Sequence, residues 1–157
     1  MNEQQSRQSV KIEPVRKEVK VALPAAAAFE LFTEGIGRWW PLATHSVGQE
    51  QAETCFFEGW AGGRIFEVKK DGSQAEWGRV LAWEPPDRVT FQWYPRRGPD
   101  SAQEVTVTFS ERPGGTAVEL VHTGWETLGD QGQAQRENYD TGWDFVLGHY
   151  VSLAASV

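Results

Sequence analysis

The sequence predicts an α+β fold, with one curved antiparallel sheet of seven strands, a short helix after the first strand and a long helix at the end. Three observations carry that expectation. The period-two run VRKEVKV is followed at once by PAAAAFELF, whose apolar residues recur at helical spacing. Residues 54–123 then break into six short strand-like runs divided by turns. The closing stretch returns to apolar residues at i, i+3, i+4 and i+7.

Taken in order, residues 1–12 are polar and read as an N-terminal tail, leaving 13–157 as a single domain. At 157 residues the chain suits one core, and a domain of that size buries roughly two thirds of the surface its unfolded chain exposes. Val15–Val21 alternates apolar with charged residues, as a strand with one buried face does. Pro24 suits a helix's first turn, and Ala25, Ala28, Phe29, Phe32 and Ile36 share one helical face. Gly35, Gly37 and Pro41 end that helix around the pair Trp39-Trp40.

The next runs are TCFFEGW, RIFEVKK, AEWGRVLAW, RVTFQWY, EVTVTFSE and TAVELVHT. Their dividers, AGG, KDGS, EPPD, PRRGPDS and RPGG, each hold Gly or Pro where the chain must reverse, so successive strands are expected as antiparallel neighbours. Trp143, Val146, Leu147, Tyr150, Val151 and Ala154 then define the inner face of a terminal helix about 13 residues and roughly 20 Å long. The preceding GDQGQAQRENYD either starts that helix early, through a capping box of Asp130 and Gln133, or forms an exposed turn.

Composition narrows the function. A net charge of −7, with no basic cluster beyond Arg96-Arg97 or Lys69-Lys70, disfavours nucleic acid, whose phosphates need clustered cations. No apolar run approaches the roughly 20 residues that cross a bilayer, so no membrane partner is expected. The single Cys55 forms no internal disulfide and the first residues lack a signal core, which points to a cytoplasmic protein. Eight Trp and eight Phe exceed what a chain this short needs for structure, and predict a large aromatic lining.

Five stretches in order, LFTEGIGRWWP, GWAGGRIFEV, GRVLAWEPPDRVTFQW, VTVTFSERPGGTAVELVHTGW and TGWDFVLGHY, resemble the START-like (SRPBCC) superfamily. Within it they are most similar to relatives of the activator of Hsp90 ATPase. The resemblance covers about residues 15–155 and implies the helix-grip fold, in which a curved sheet wraps the last helix and encloses a cavity. It also implies binding of an apolar or aromatic small molecule there. A minority of that superfamily are cyclases, dehydratases or hydrolases, and an Hsp90-type chaperone or a homodimer partner stands as a further implied class. The Hsp90 activator itself carries a separate amino-terminal domain not seen in this sequence, which ranks the co-chaperone role below ligand binding.

Candidate ligand-binding residues follow from position and residue type. Trp39 and Trp40 either offer bulky rings and indole N–H groups at the cavity mouth, where only one of two neighbours can face a ligand, or one or both plug the open end of the sheet as core. Trp77 and Arg79 share a strand face with Leu81 and Trp83; if that face is concave Arg79 holds a carboxylate or phenolate, and if convex it is solvated. His122 lies on the inner face with Val118 and Leu120, and is the one catalytic candidate, as acid or base, against the alternative of a histidine bonded within the fold. His45 belongs to the mouth loop, while Tyr139 and Trp143, four apart, line the cavity from the helix. In the family's TGW motif the tryptophan is usually structural.

Other residues carry less. Ser46 has no nucleophile-elbow sequence around it. His45, His122 and His149 lack zinc-ligand spacing, so no metal and no cofactor is expected. Glu58, Arg64 and Glu67 read as an exterior charge ladder in preference to an internal pair, and Cys55 as a small core residue.

Overall fold

The computed structural model describes residues 11–157. Residues 1–10, most of the expected tail, lie outside the described residues. Ile12 packs against the core, and its amide donates to Glu126 Oε2 at 3.0 Å.

The strands are β1 (Val15–Val21), β2 (Ala52–Phe57), β3 (Arg64–Lys69), β4 (Gln74–Glu84), β5 (Arg88–Trp93), β6 (Gln103–Arg112) and β7 (Gly115–Thr123). They form one antiparallel seven-stranded sheet in the order β1-β7-β6-β5-β4-β3-β2. The meander follows from the turns, since each Gly- or Pro-bearing divider returns the chain beside the strand it has just left. β1 alone crosses over, pairing Val19 with Val118 at the far edge.

Helix α1 (Ala25–Phe32) places Ala28, Phe29 and Phe32 on the sheet, and a short 3₁₀ turn, Ile36–Arg38, follows it. Helix α2 (Gly132–Ser156) is longer than its apolar pattern predicted, 25 residues or about 37 Å. Of the two readings of GDQGQAQRENYD it follows the early start, but not through a capping box of Asp130 and Gln133, because the residue before the helix is Gln131, which makes no side-chain cap. Its polar first half is held by ties to the start of the chain. Arg136 donates to the carbonyls of Glu13 and Pro14 at 3.0 and 2.9 Å, and Lys17 bridges Asp140 and Asp144, each at 3.0 Å. Such ties leave no apolar periodicity to read.

Strand β4 departs from strict alternation. Its pairing slips at Trp77 against β3 and at Leu81 against β5, which marks two β-bulges. Between them β4 approaches β5 so closely that a Cβ on Gly78 would sit 1.8 Å from the Gln92 carbonyl oxygen. Trp77, Gly78 and Val80 are consequently buried while Arg79 and Leu81 face solvent. Trp77 and Arg79 therefore do not share the working face that period two assigned them.

Under α1 the space between sheet and helices is solid. Phe29, Phe32, Phe109, Trp39 and Tyr150 meet with ring centroids 5.1–5.9 Å apart. Tyr150 donates its hydroxyl to the Ala28 carbonyl at 2.8 Å, which ties α2 to α1.

Candidate functional site

At the other end of α2 the two layers separate around a cavity of about 250 Å³. The sheet contributes Trp77 from β4 and Trp93 from β5, with Pro95 and Arg96 just beyond it. Helix α2 contributes Gln135, Asn138, Tyr139, Gly142, Trp143 and Val146 along one stripe. The loop after α1 closes the mouth with Trp40, Thr44, His45 and Ser46.

The adjacent tryptophans divide as neighbours do when a chain turns. Trp39 points into the solid half, is 4% exposed, and donates its indole N–H to the Leu31 carbonyl at 2.8 Å. Trp40 forms a cavity wall, with its N–H on the His45 carbonyl at 2.6 Å. Around Trp40 stand Trp77, Trp93 and Trp143, with centroids 5.1, 5.7 and 6.0 Å away. Those spacings suit tilted and edge-to-face aromatic contacts and make a stiff wall.

The mouth loop is pinned from below by Glu67, which the charge-ladder reading placed on the outside. Its carboxylate is fully buried and accepts from the amides of Val47 and Gly48, each at 2.7 Å, and from Trp77 Nε1 at 2.6 Å. Three N–H donors replace the water a buried carboxylate would otherwise lose. Glu67 follows Ile65 by two residues and shares its inward face, which is the signal that could have found it. Arg96 adds a clamp from the opposite side, donating to the Ser46 carbonyl at 2.7 Å. Ser46 itself is committed within the loop, donating to the Leu42 carbonyl at 2.6 Å and accepting from the Gln49 amide at 2.8 Å.

His45 stacks on Phe145 of α2, 4.8 Å between centroids and 17° from parallel, and its Nδ1 lies 2.7 Å from Thr44 Oγ1. Burial, with His149 nearby, holds this imidazole below its ordinary value, so it is uncharged at neutral pH. Tyr139 packs its ring on Trp125 and His122. Burial pushes its phenol up, opposed by the Trp93 indole and by the charges of Arg96 and Arg97.

His122 does point inward but stops behind the wall. It is fully buried, stacks on Trp125 at 4.1 Å, accepts from Trp143 Nε1 at Nδ1 (3.0 Å), and so carries its proton on Nε2, 3.2 Å from Gln103 Oε1. Burial lowers it to about 3. Both ring nitrogens are engaged within the fold and the ring is not part of the cavity lining, which corrects the catalytic candidacy. Arg79 is likewise outside: it pairs with Glu76 at 3.3 Å on the convex face, and Glu76 also accepts from the Tyr94 hydroxyl. Of the candidates, Trp40, His45, Trp77, Tyr139 and Trp143 converge on the cavity, while Trp39, Arg79 and His122 do not. Cys55 is buried, its thiol pushed up to about 12 by burial and by Glu67.

The cavity residue that sequence reasoning missed is Trp93, although Val89, Phe91 and Trp93 alternate onto one buried face of β5. Its indole is 3% exposed, and its buried Nε1–H meets no acceptor in good hydrogen-bond geometry among the described residues, the Tyr139 phenol being the group it acts on.

A curved antiparallel sheet gripping a long terminal helix, with a cavity between them, defines a helix-grip protein of the START-like class. The chain belongs to the Activator of Hsp90 ATPase homolog 1-like protein family, whose pattern matches residues 22–150. Among solved structures, an anthrahydroquino-γ-pyrone synthase, Txn09, complexed with a ligand, is 35% identical over 81% of this chain and 86% of its own, with a TM-score of 0.58. A protein from Mesorhizobium loti, 18% identical over 90% of this chain and 96% of its own, superposes with a TM-score of 0.63. The Aha1 dimer from Colwellia psychrerythraea, 16% identical over 87% and 91%, gives 0.61. These last two show the fold alone. No curated protein matches the sequence. Among the described residues no helix is long and apolar enough to cross a membrane, and no cluster of three or more metal-ligating side chains occurs.

Proposed function

We propose that the protein binds a small, mostly apolar or aromatic molecule in the cavity between sheet and α2. The observation that carries the reading is the wall of four tryptophans around a space of about 250 Å³. Sites for drug-sized ligands run roughly 300–1,000 Å³, so the size suits a molecule of two or three fused rings. The kinship to a synthase named for an anthrahydroquino-pyrone product supports a planar aromatic in particular. Titration of intrinsic fluorescence with aromatic acids, flavonoids and polyketide-like compounds tests it. Saturable quenching that Trp40→Phe weakens is expected; a flat response across the panel, with both proteins folded, overturns it.

The same kinship favours a second reading, in which the bound molecule is turned over. His45 is then the proton carrier, because its uncharged imidazole stands on the cavity rim. His45→Gln would lower turnover by about a hundredfold while leaving ligand affinity within a few fold. Equal losses in both would assign His45 to binding only.

A further inference from the structure

The mouth loop is tied to the rest of the molecule unevenly. Its base is fixed, because the amides of Val47 and Gly48 both donate to the buried Glu67 carboxylate at 2.7 Å. Its tip, residues 43–46, is held otherwise. Among the described residues a single hydrogen bond reaches the tip from outside the segment 40–49, from Arg96 Nη2 to the Ser46 carbonyl at 2.7 Å. A second contact across the mouth is the stack of His45 on Phe145 of α2, 4.8 Å between centroids. Arg96 and Phe145 are both exposed, so water competes for these two ties while burial excludes it from Glu67.

Within itself the tip is well bonded. His45 donates its amide to the Pro41 carbonyl at 2.9 Å, Ser46 Oγ donates to the Leu42 carbonyl at 2.6 Å, and Trp40 Nε1 meets the His45 carbonyl from the same loop. Backbone strain brackets this segment. Gln49 (φ 51) and Arg96 (φ 68) are, among the described residues, the two non-glycine residues in the left-handed conformation, which a Cβ disfavours. One lies just past the fixed base of the tip and the other holds it from across the mouth. The closed position is therefore maintained against strain on both sides.

Resting on the proposed binding function, we propose that residues 41–46 form a flap that swings on the base held by Glu67, and that Arg96 and Phe145 keep it shut over the bound molecule. Opening breaks the Arg96–Ser46 bond and the His45–Phe145 stack and leaves the Glu67 bonds in place. The tryptophan wall then sets which molecule fits, whereas Arg96 and Phe145 set how fast it exchanges.

The test is stopped-flow tryptophan fluorescence of the whole protein with flavone as the probe, on the parent and on Phe145→Ala. Phe145 is 48% exposed and no part of the cavity lining, so its truncation acts on the flap and leaves the core and the ligand's contacts alone. Loss of one aromatic contact is expected to raise the association and dissociation rates by about two- to tenfold, with dissociation rising more because Thr44 and His45 of the closed flap line the cavity. Arg96→Gln should act in the same direction. Unchanged association and dissociation in Phe145→Ala overturns the flap, since a fixed wall does not answer to a residue outside the cavity. A measurement without ligand keeps the two readings apart. The Gln49 amide donates to Ser46 Oγ at 2.8 Å across the joint, so its exchange with solvent should quicken by a similar factor in Phe145→Ala while Val47 and Gly48 stay protected. Quickened exchange at Gln49 with no flavone response in the parent overturns the proposed function and leaves the flap standing. Unchanged exchange at all three amides overturns the flap.

Discussion

The two halves of the space beneath the sheet are built from the same residue types and do opposite things. Under α1, Phe29, Phe32, Phe109, Trp39 and Tyr150 fill the interior, and the Trp39 and Tyr150 donors end on the carbonyls of Leu31 and Ala28. Under the first half of α2, Trp40, Trp77, Trp93, Trp143 and Tyr139 enclose a void. Aromatic content therefore does not distinguish a core from a site in this fold. The separation of the layers does: under α1 the rings close on one another, whereas around Trp40 they enclose a space of about 250 Å³.

The sharpest way to break that contrast is to truncate its two adjacent members. Trp39→Ala removes a buried ring from the solid half and should cost about 3–5 kcal/mol, a large part of the roughly 5–15 kcal/mol that holds a domain folded. Trp40→Ala enlarges a void that already exists, so its stability cost should be well below that of Trp39→Ala while ligand-induced quenching disappears. Urea unfolding of both proteins checks this. Equal destabilisation would mean that the cavity half is core in disguise.

Next in size is an effect of pH on the buried support behind the cavity. His122 is held at about 3 by burial, against about 6.5 in the unfolded chain. The unfolded state thus binds the extra proton first as pH falls. Stability contributed by neutral His122 is complete above about pH 6.5 and declines by about 1.4 kcal/mol per pH unit below it, until the folded protein protonates near 3. His122→Gln keeps an acceptor for Trp143 and should flatten that part of the profile. If the variant and the parent lose stability in parallel between about pH 6.5 and 4.5, the neutral-imidazole account fails.

How far the sequence revealed these regions depends on which rule each residue obeys. The meander from β2 to β7 and the helix α1 were legible because turn residues and apolar spacing govern them directly, whereas the pairing of β1 with β7 is a long-range contact that no local pattern displays. Trp40, His45, Tyr139 and Trp143 were legible as cavity residues from loop position and helical stripe. Arg79 stayed open between the two faces because two bulges in β4 reset the alternation on either side of it, and bulges leave no mark in a period count beyond Gly78. The first turns of α2 were ambiguous because ion pairs to β1, which a single segment cannot display, replace apolar contacts there. Trp93 was readable from the Val89–Phe91–Trp93 alternation.

A third intervention tests whether the cavity half needs its mouth loop fixed. Glu67→Gln keeps the shape but turns an amide N–H₂ toward donors that now meet a carboxylate, and hydrogen bonds to charged groups are worth about 1.5–3 kcal/mol. A loss in that range is expected, together with faster amide exchange at Val47 and Gly48 and weaker ligand binding. Unchanged exchange at those two amides would show that Arg96, through Ser46, holds the loop without help.

The smallest effect belongs to Arg79, which sits one strand position from the cavity boundary yet on the opposite face. Its partner Glu76 is also held by the Tyr94 hydroxyl, so removing the guanidinium leaves the carboxylate engaged. An exposed pair of this kind contributes little to stability and less at high salt. Arg79→Ala should leave both the melting temperature and the affinity for aromatic ligands unchanged, whereas Arg96→Gln, which removes the clamp on the Ser46 carbonyl, loosens the mouth loop and weakens binding. A loss of ligand affinity in Arg79→Ala would place the convex face in the binding event and dissolve the boundary drawn at β4.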